Sequence, residues 1–318
     1  MPVLVVTNDI DPTADRVIEE LNRRGTPVLR CDTADFPMNL SFTAELSGAW
    51  AGTIRTTRRH IDLSDITGIY YRRPSEYRFP EGMAHQHRRW ACMEAKIGFL
   101  GTLAALPRWL NHPARIAAAE YKPVQLSTAT TCGLRVPHTL ITNVSADAEE
   151  FAQQVGDVVY KPMSALPLAD DGTVRHLLFA RRVTAEDLAD EAIGLTAHMV
   201  QEWVEHTHAV RLTAVDDRLF ATEIHAATDE THVDWRTDYD ALEYQPADVP
   251  ERVAEGVRRL LRTLDLRFGA LDFLVTPEGE WVFLEINPNG QWAWIAQAAP
   301  DNAHAIATAL TEGPPDDR

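Results

Sequence analysis

The chain has 318 residues, 45% of them hydrophobic and 24% charged, with a net charge of −17. That length holds two or three compact units with cores of their own, and the composition is that of a globular protein, not of a disordered or fibrous chain. An acidity of this size argues against polyanion binding, and so nucleic acid, as the main activity, while leaving room for a local basic site at Arg72, Arg73, Arg88 and Arg89.

In chain order, residues 2–7 predict an apolar strand, 11–24 a helix with an acidic or threonine cap, and 27–31 a second strand. This βαβ-like opening lacks a G-x-G-x-x-G fingerprint, so no dinucleotide is assigned to it. Residues 41–57 form a strand pair split by the Gly48-Ala49-Trp50-Ala51-Gly52 segment, and 66–71 add another strand. A long helix over about 82–106, carrying Lys96 on its surface, closes a first unit (1–110). A second unit (111–191) begins at Asn111-His112-Pro113 and holds a helix from Lys122 to about Cys132, strands over 139–142 and 158–161, and a polar loop at 167–172. The third (192–312) carries strands over 199–204, 209–215 and 219–226, a helix over 250–264 and a final hairpin; 313–318 read as a disordered tail.

That hairpin bears the strongest chemical signal. Residues 270–276 and 281–286 are apolar and β-prone, with turn material between them. A two-residue loop at 278–279 and a four-residue loop at 277–280 give one register, which sets Asp272 across from Glu285 and puts Asn287 on the same face. Facing carboxylates in a largely buried sheet repel, and a hard cation such as Mg²⁺, bound through carboxylates and substrate phosphates, relieves the repulsion. Lysine usage supports this independently. Lysine occurs only at Lys96, Lys122 and Lys161 among 30 basic residues, so Lys122 and Lys161 mark places where a compact ammonium is needed rather than a planar fork. Lys161 ends the buried-looking stretch Val158-Val159-Tyr160-Lys161, an unusual position for a charge without a partner. Gln201-Glu202-Trp203-Val204 reads as a strand end feeding an irregular turn whose backbone can pair with an adenine edge.

These segments resemble the ATP-grasp ligases over nearly the whole chain. Within that superfamily the resemblance is to the microviridin-type (graspetide) maturases of ribosomal peptides. It rests on Tyr70-Tyr71-Arg72-Arg73-Pro74, Asn111-His112-Pro113, Lys122 with 133–140, Tyr160-Lys161-Pro162, 201–205 and 283–292. The fold it implies is α/β, with a Rossmann-like pre-ATP-grasp domain followed by two α+β subdomains that sandwich ATP. It also implies Mg²⁺ on Asp272, Glu285 and Asn287, and phosphates on Lys122 and Lys161. Glu202 would take the adenine amine, Trp203 and Val204 would make backbone contacts to the base, and Glu205 would take a ribose hydroxyl. Arg211 and Arg236 are candidates for clamping the γ-phosphate or the activated carboxylate. The implied reaction activates Asp or Glu side chains of a precursor peptide as acylphosphates, which Thr, Ser or Lys side chains of the same peptide displace to close ester or amide rings. Two alternatives stay open: a ligase joining an amino acid or small amine to a carboxylate, and an ATP-binding regulatory protein of the same fold.

Arg72 and Arg73, at a strand end, are candidate contacts for an acidic peptide. Two features depart from the superfamily: Ala209 stands where an acidic residue commonly precedes the post-hinge arginine, and 163–167 lack a glycine-rich lid. His206, His208 and His225 invite a transition-metal reading through the H-x-H spacing, but the oxygen-rich site already accounts for a metal, and no ligand role is assigned to them. No apolar run reaches the roughly 18 residues a membrane helix needs, and 1–4 lead into a strand without a signal-peptide pattern. Cys31, Cys92 and Cys132 lack metal spacing and read as reduced thiols. A cytoplasmic protein with a peptide partner and no membrane partner is expected; a homodimer is left open.

Overall fold

A computed structural model of the chain describes residues 2–164, 168–170, 174–176 and 178–312. The tail at 313–318, residues 165–167 of the lid segment, and 167, 171 and 172 of the expected polar loop lie outside the described residues. Within that loop, Leu168–Asp170 is a strand paired with Val174–His176.

The opening βαβ unit forms as its pattern predicts. Asp11 caps the helix Pro12–Arg23 by accepting from the Thr13 and Ala14 amides, both at 3.1 Å, and Pro12 opens the first turn. Ala14, Val17 and Leu21 recur at helical spacing and are fully buried. The strands Val28–Cys31, Val3–Val6, Gly68–Tyr71 and Trp109–Leu110 lie in that order in one parallel sheet. A three-stranded antiparallel sheet (Leu40–Ser47, Ala49–Thr56, His60–Asp62) packs beside it. Here the expected split at 48–52 is corrected: pairing runs from Leu40↔Thr56 to Ser47↔Ala49, so only Gly48 is left to turn. Gly52 lies inside the ladder at φ 147°, where an added Cβ would fall 2.0 Å from the Thr43 carbonyl oxygen. The long helix is His85–Ala95 continued through a π-turn at Lys96–Leu100 into Gly101–Ala104, with Lys96 exposed.

A second, antiparallel sheet runs Arg181–Val183, Val158–Lys161, His198–Glu202, Thr139–Thr142. The strand expected over 199–204 in the third unit therefore belongs to the sheet of the second, because its backbone bonds go to Val158–Lys161 and Thr139–Thr142. The third sheet, also antiparallel, runs Leu242–Ala247, Arg218–Ala226, His208–Val215, Phe268–Val275, Trp281–Asn287. The helices Lys122–Thr131 and Glu251–Thr263 cover one face of it through Leu126, Ala129, Val257, Leu260 and Leu261.

The helix Ala299–Glu312, absent from the sequence-based expectations, returns to pack on the N-terminal unit. Ala303, Ile306 and Leu310 join Ala14, Val17 and Leu21 in one core with Tyr70, Phe268 and Trp292. Gly68 makes the close approach possible, since a Cβ there would lie 2.3 Å from the Leu310 carbonyl oxygen.

Asn111 ties the N-terminal unit to the third sheet. Its amide is buried, donates to the carbonyls of Phe268 (2.7 Å) and Pro288 (2.8 Å), and accepts from the amides of Arg267 (2.8 Å) and Phe268 (3.0 Å). Asn111→Ala leaves these buried backbone groups without partners. Unfolding stability in urea is expected to drop by about 3 kcal/mol or more; a loss below about 1 kcal/mol would show that water replaces the amide.

Candidate functional site: a buried charge cluster between two antiparallel sheets

The hairpin of Asp272 and Glu285 reaches the expected pairing by an unexpected route. Near the turn the register is Val275↔Trp281, Leu274↔Val282 and Phe273↔Phe283, one residue away from the sequence-based expectation. An irregularity between Asp272 and Phe273 leaves Leu284 as an extra residue, and beyond it Asp272 pairs with Glu285 as expected. The bulge keeps Phe273 and Phe283 fully buried while Leu284 and Glu285 face the cavity. Asn287, two residues on, is exposed and accepts from the Asn289 amide at 3.0 Å.

The two carboxylates are compensated differently. Asp272 is 3% exposed. One of its oxygens accepts from Arg211 at 2.6 Å; the other is buried without a hydrogen-bond partner among the described residues, the Arg236 guanidinium standing 3.8 Å away. Burial raises the Asp272 pKa; Arg211 opposes it and Glu285 adds to it. Burial acts on Glu285 the same way, but Lys122, Arg236 and Lys161 outweigh it and hold its pKa well below the usual range. Glu285 pairs with Lys122 and, at 3.0 Å, with Arg236. An orphaned buried carboxylate oxygen beside an all-oxygen set of Asp272, Glu285 and Asn287 suits a hard divalent cation, so these residues fit Mg²⁺.

Four cations converge on this pair. Lys122 opens its helix, and Lys161 ends its strand at 8% exposure. Burial pushes the Lys161 ammonium down to about 8, with Glu285 raising it and Lys122 and Arg236 lowering it further. Arg211 is buried and also donates to the Gln291 carbonyl at 2.9 Å. Arg236 is aimed by Asp234, which accepts from its Nε at 2.9 Å. Burial works against the Arg236 charge, but Glu285, Asp234 and Asp272 more than offset that and raise its pKa.

Two adjoining cavities meet at this cluster, sharing Lys161, Asp234, Arg236 and Glu285. The narrower one runs between the sheets past Val159, Ile224, Leu274 and Leu284 to Glu202, Trp203 and Val204. Trp203 spends its amide on the Asp157 carbonyl (2.7 Å), whereas the Val204 amide donates no hydrogen bond among the described residues. Glu205 does not line the cavity: it is exposed and accepts from the Trp203 indole N–H at 3.1 Å. The ribose contact expected of it finds no geometric support, because its carboxylate is turned to that ring. The wider cavity adds Lys122, Gln125, Met163 and Asn287.

The arginine pair needs a correction. Arg72 is not available to a peptide: it is 2% exposed, pairs with Asp11 at 3.3 Å, and donates to the carbonyls of Asn289 (3.2 Å) and Gly290 (2.9 Å). Arg73 is exposed, with burial of its inner part and the charge of Arg72 lowering its pKa. The H-x-H expectation also splits. His206 is buried, stacked on His232 at 4.0 Å, with its nitrogens facing the Val204 and His232 carbonyls; His208 stands with His225 instead.

Two positioning residues escaped the sequence reading. Gln125 is buried, accepts from the Ile286 amide (3.1 Å) and donates to the carbonyls of Ile286 (2.8 Å) and Ala119 (2.7 Å), which fixes the Glu285 strand to the Lys122 helix. A glutamine three residues beyond Lys122 carries no local signal of that role. Asp234 stands two residues before Arg236, and nothing in the sequence places it at a cavity.

Residues 2–117 match the model of the MvdD pre-ATP-grasp domain. No curated protein sequence matches the chain. Among solved structures, the chain is similar to a RiPP-associated ATP-grasp ligase of Chryseobacterium gregarium in complex with ADP and a leader and core peptide (25% identity, TM-score 0.90, covering 99% of this chain and 97% of that one). It is also similar to the macrocyclase MdnC of Microcystis aeruginosa MRC, bound with precursor peptide MdnA (28%, 0.85, 98% and 100%). The macrocyclase MdnB of the same organism matches at 29% identity and TM-score 0.78, covering 98% of this chain and 99% of that one.

The Lys161 shift has a testable consequence. Phosphates bound at Lys161 would favour the charged ammonium, so above its own pKa the lysine would take up a proton on binding. ADP affinity, measured by calorimetry, is expected to fall as pH rises through about 8, by at most about tenfold per pH unit, the limit for one linked proton. Lys161→Met binds more weakly and loses this slope; the same slope in both proteins would assign it to another group.

Proposed function

We propose, on the premise that the chain is an ATP-grasp ligase headed by an MvdD-type pre-ATP-grasp domain, that it activates side-chain carboxylates of a ribosomally made peptide and closes ester or amide rings within it. The observation that carries this reading is the set of four cations around Asp272 and Glu285 where the two cavities meet. It is supported by likeness to ligases solved with ADP and with leader, core or precursor peptides.

In this reading the adenine lies in the narrow cavity against Trp203 and the free Val204 amide, with Glu202 toward its amine. Lys161 and Lys122 hold phosphate oxygens. Asp272, Glu285 and Asn287 hold Mg²⁺, which when bound neutralises charge on the transferring phosphoryl group. The peptide carboxylate enters through the wider cavity and is met by Arg236, which Asp234 holds in one orientation, with Arg211 behind it. The carboxylate oxygen bonds to the γ-phosphorus as the bond to ADP breaks. A hydroxyl or amine of the same peptide then attacks the acyl carbon, phosphate leaves, and the nucleophile gives up its proton. Positioning and charge neutralisation are the protein's contribution, which is why no nucleophile of its own is required.

The test is phosphate release with Mg·ATP, with and without short Asp- and Thr-rich peptides, read together with loss of water from the peptide by mass spectrometry. Release that depends on a free amine and leaves the peptide uncyclised would favour the amine-joining alternative. Glu285→Gln is expected to lower turnover by about 10²-fold or more with the fold intact; phosphate release at the parental rate would remove the metal assignment.

The two neighbouring arginines should part company. Arg72→Gln breaks a buried ion pair and is expected to cost about 3 kcal/mol or more of stability. Arg73→Gln leaves stability unchanged and raises the KM for peptide without altering that for ATP, an effect that shrinks at high salt. An unchanged peptide KM would leave Arg73 as surface.

A further inference from the structure

The C-terminal sheet carries a second group of ligating side chains that the nucleotide site does not use. Ala209 pairs with Ile224 and Val210 with Glu223, which sets His208 across from His225 with Glu223 two residues along on the same face. Strand alternation puts Arg211 and Asp272 on the opposite face, so Glu223 and His225 sit away from the charge cluster at the edge of the core formed by Val210, Leu212 and Phe273, while His208 also borders the narrow cavity. One ligand atom from each of His208, Glu223 and His225 lies within 4.8 Å of the others. His225 Nε2 is 2.9 Å from one Glu223 oxygen and His208 Nε2 is 3.8 Å from the other. The side chains are 15%, 28% and 34% exposed for His208, Glu223 and His225, held in place yet open to an entering ion.

Two details distinguish this cluster from an ordinary histidine–carboxylate pair. The Thr207 hydroxyl donates to the Val275 carbonyl at 3.2 Å and also lies 2.9 Å from His208 Nδ1. A Thr207 hydroxyl that donates to the Val275 carbonyl accepts from Nδ1–H, the arrangement that puts the His208 lone pair on Nε2, the nitrogen turned toward Glu223. A hydrogen bond to the far ring nitrogen that fixes the tautomer is the usual support of a ligating histidine. His225 presents its Nε2 to the same carboxylate, so both imidazoles turn that nitrogen toward Glu223.

We propose that His208, Glu223 and His225 bind a late first-row divalent cation, zinc foremost, at a site separate from the Asp272–Glu285 centre. Two imidazoles and one carboxylate suit zinc, whereas Mg²⁺ and Ca²⁺ take oxygen ligands, and three protein ligands leave one tetrahedral position for water. The ion joins the start of the strand His208–Val215 to the end of Arg218–Ala226. That is the first paired backbone after the cavity-lining Glu202–Val204 turn, so the ion stiffens the support of that turn.

The experiment uses the full chain, free of any affinity tag, titrated with Zn²⁺ by calorimetry and with Co²⁺ by visible absorption. One Zn²⁺ per chain is expected, undisplaced by excess Mg·ADP, with tetrahedral d–d bands for Co²⁺ and a zinc-dependent rise in Tm. His225→Ala and Glu223→Gln each abolish the Tm rise and the cobalt bands while Mg·ADP binding persists, which shows the fold intact. Thr207→Val weakens Zn²⁺ about tenfold, as loss of a supporting partner does. Absence of saturable Zn²⁺ binding, unchanged binding in His225→Ala, or displacement of Zn²⁺ by Mg·ADP would each overturn the proposal.

Discussion

The structure depends on the cost of placing Asp272 and Glu285 opposite each other in a sheet whose interior excludes water. Charges taken out of water lose several kcal/mol each unless they are paired, and the chain meets that cost by bringing compensating cations from distant segments. Lys122 comes from a helix N-terminus, Lys161 from the other sheet, Arg211 from the adjacent strand and Arg236 from the loop beyond it. With Asp234 included, four cations face three carboxylates, an excess of one positive charge inside a protein whose net charge is −17.

The packing of the whole molecule serves this arrangement. Gln125 fixes the Glu285 strand to the Lys122 helix, and Asn111 holds the strand of Asp272 at its Phe268 end. Arg72 holds the backbone at Asn289 and Gly290 just after Asn287. Each of these side chains is buried and bonds backbone groups that neighbouring strands leave unpaired. The chain is thereby closed on itself: the helix Ala299–Glu312 returns to the first helix, so the N-terminal unit and the sheet bearing Asp272 share one core through Tyr70, Phe268 and Trp292.

What the sequence disclosed follows physical range. Local patterns were legible: the βαβ opening, the Lys122 helix, the strand Val158–Lys161 and the hairpin all form where hydrophobic period and turn residues place them. The scarcity of lysine pointed to two residues that line one cavity with Glu285. The facing of Asp272 and Glu285 was right, though not for the stated reason, because the longer turn and the bulge at Leu284 offset one another, and bulges leave no reliable trace in a single sequence. Arg72 misled because its partners are long-range: Asp11 is 61 residues away and Gly290 is 218. For the same reason His206 looked like a companion of His208, whereas strand pairing supplies Glu223, on the neighbouring strand, in its place.

The pairing within the cluster also constrains how ligands can enter it. Lys122 and Arg236 are held by Glu285, and Arg211 by Asp272, so the groups that would bind phosphate are the groups that neutralise the groups that would bind a cation. A cation that takes over the carboxylates frees the lysines and arginines, and a polyanion that takes the lysines and arginines frees the carboxylates. Each ligand thus removes the main competitor of the other, and by linkage the two affinities rise together by the same factor. Neither effect needs a change of fold. Both follow from setting two carboxylates face to face and surrounding them with slightly more positive charge than they require.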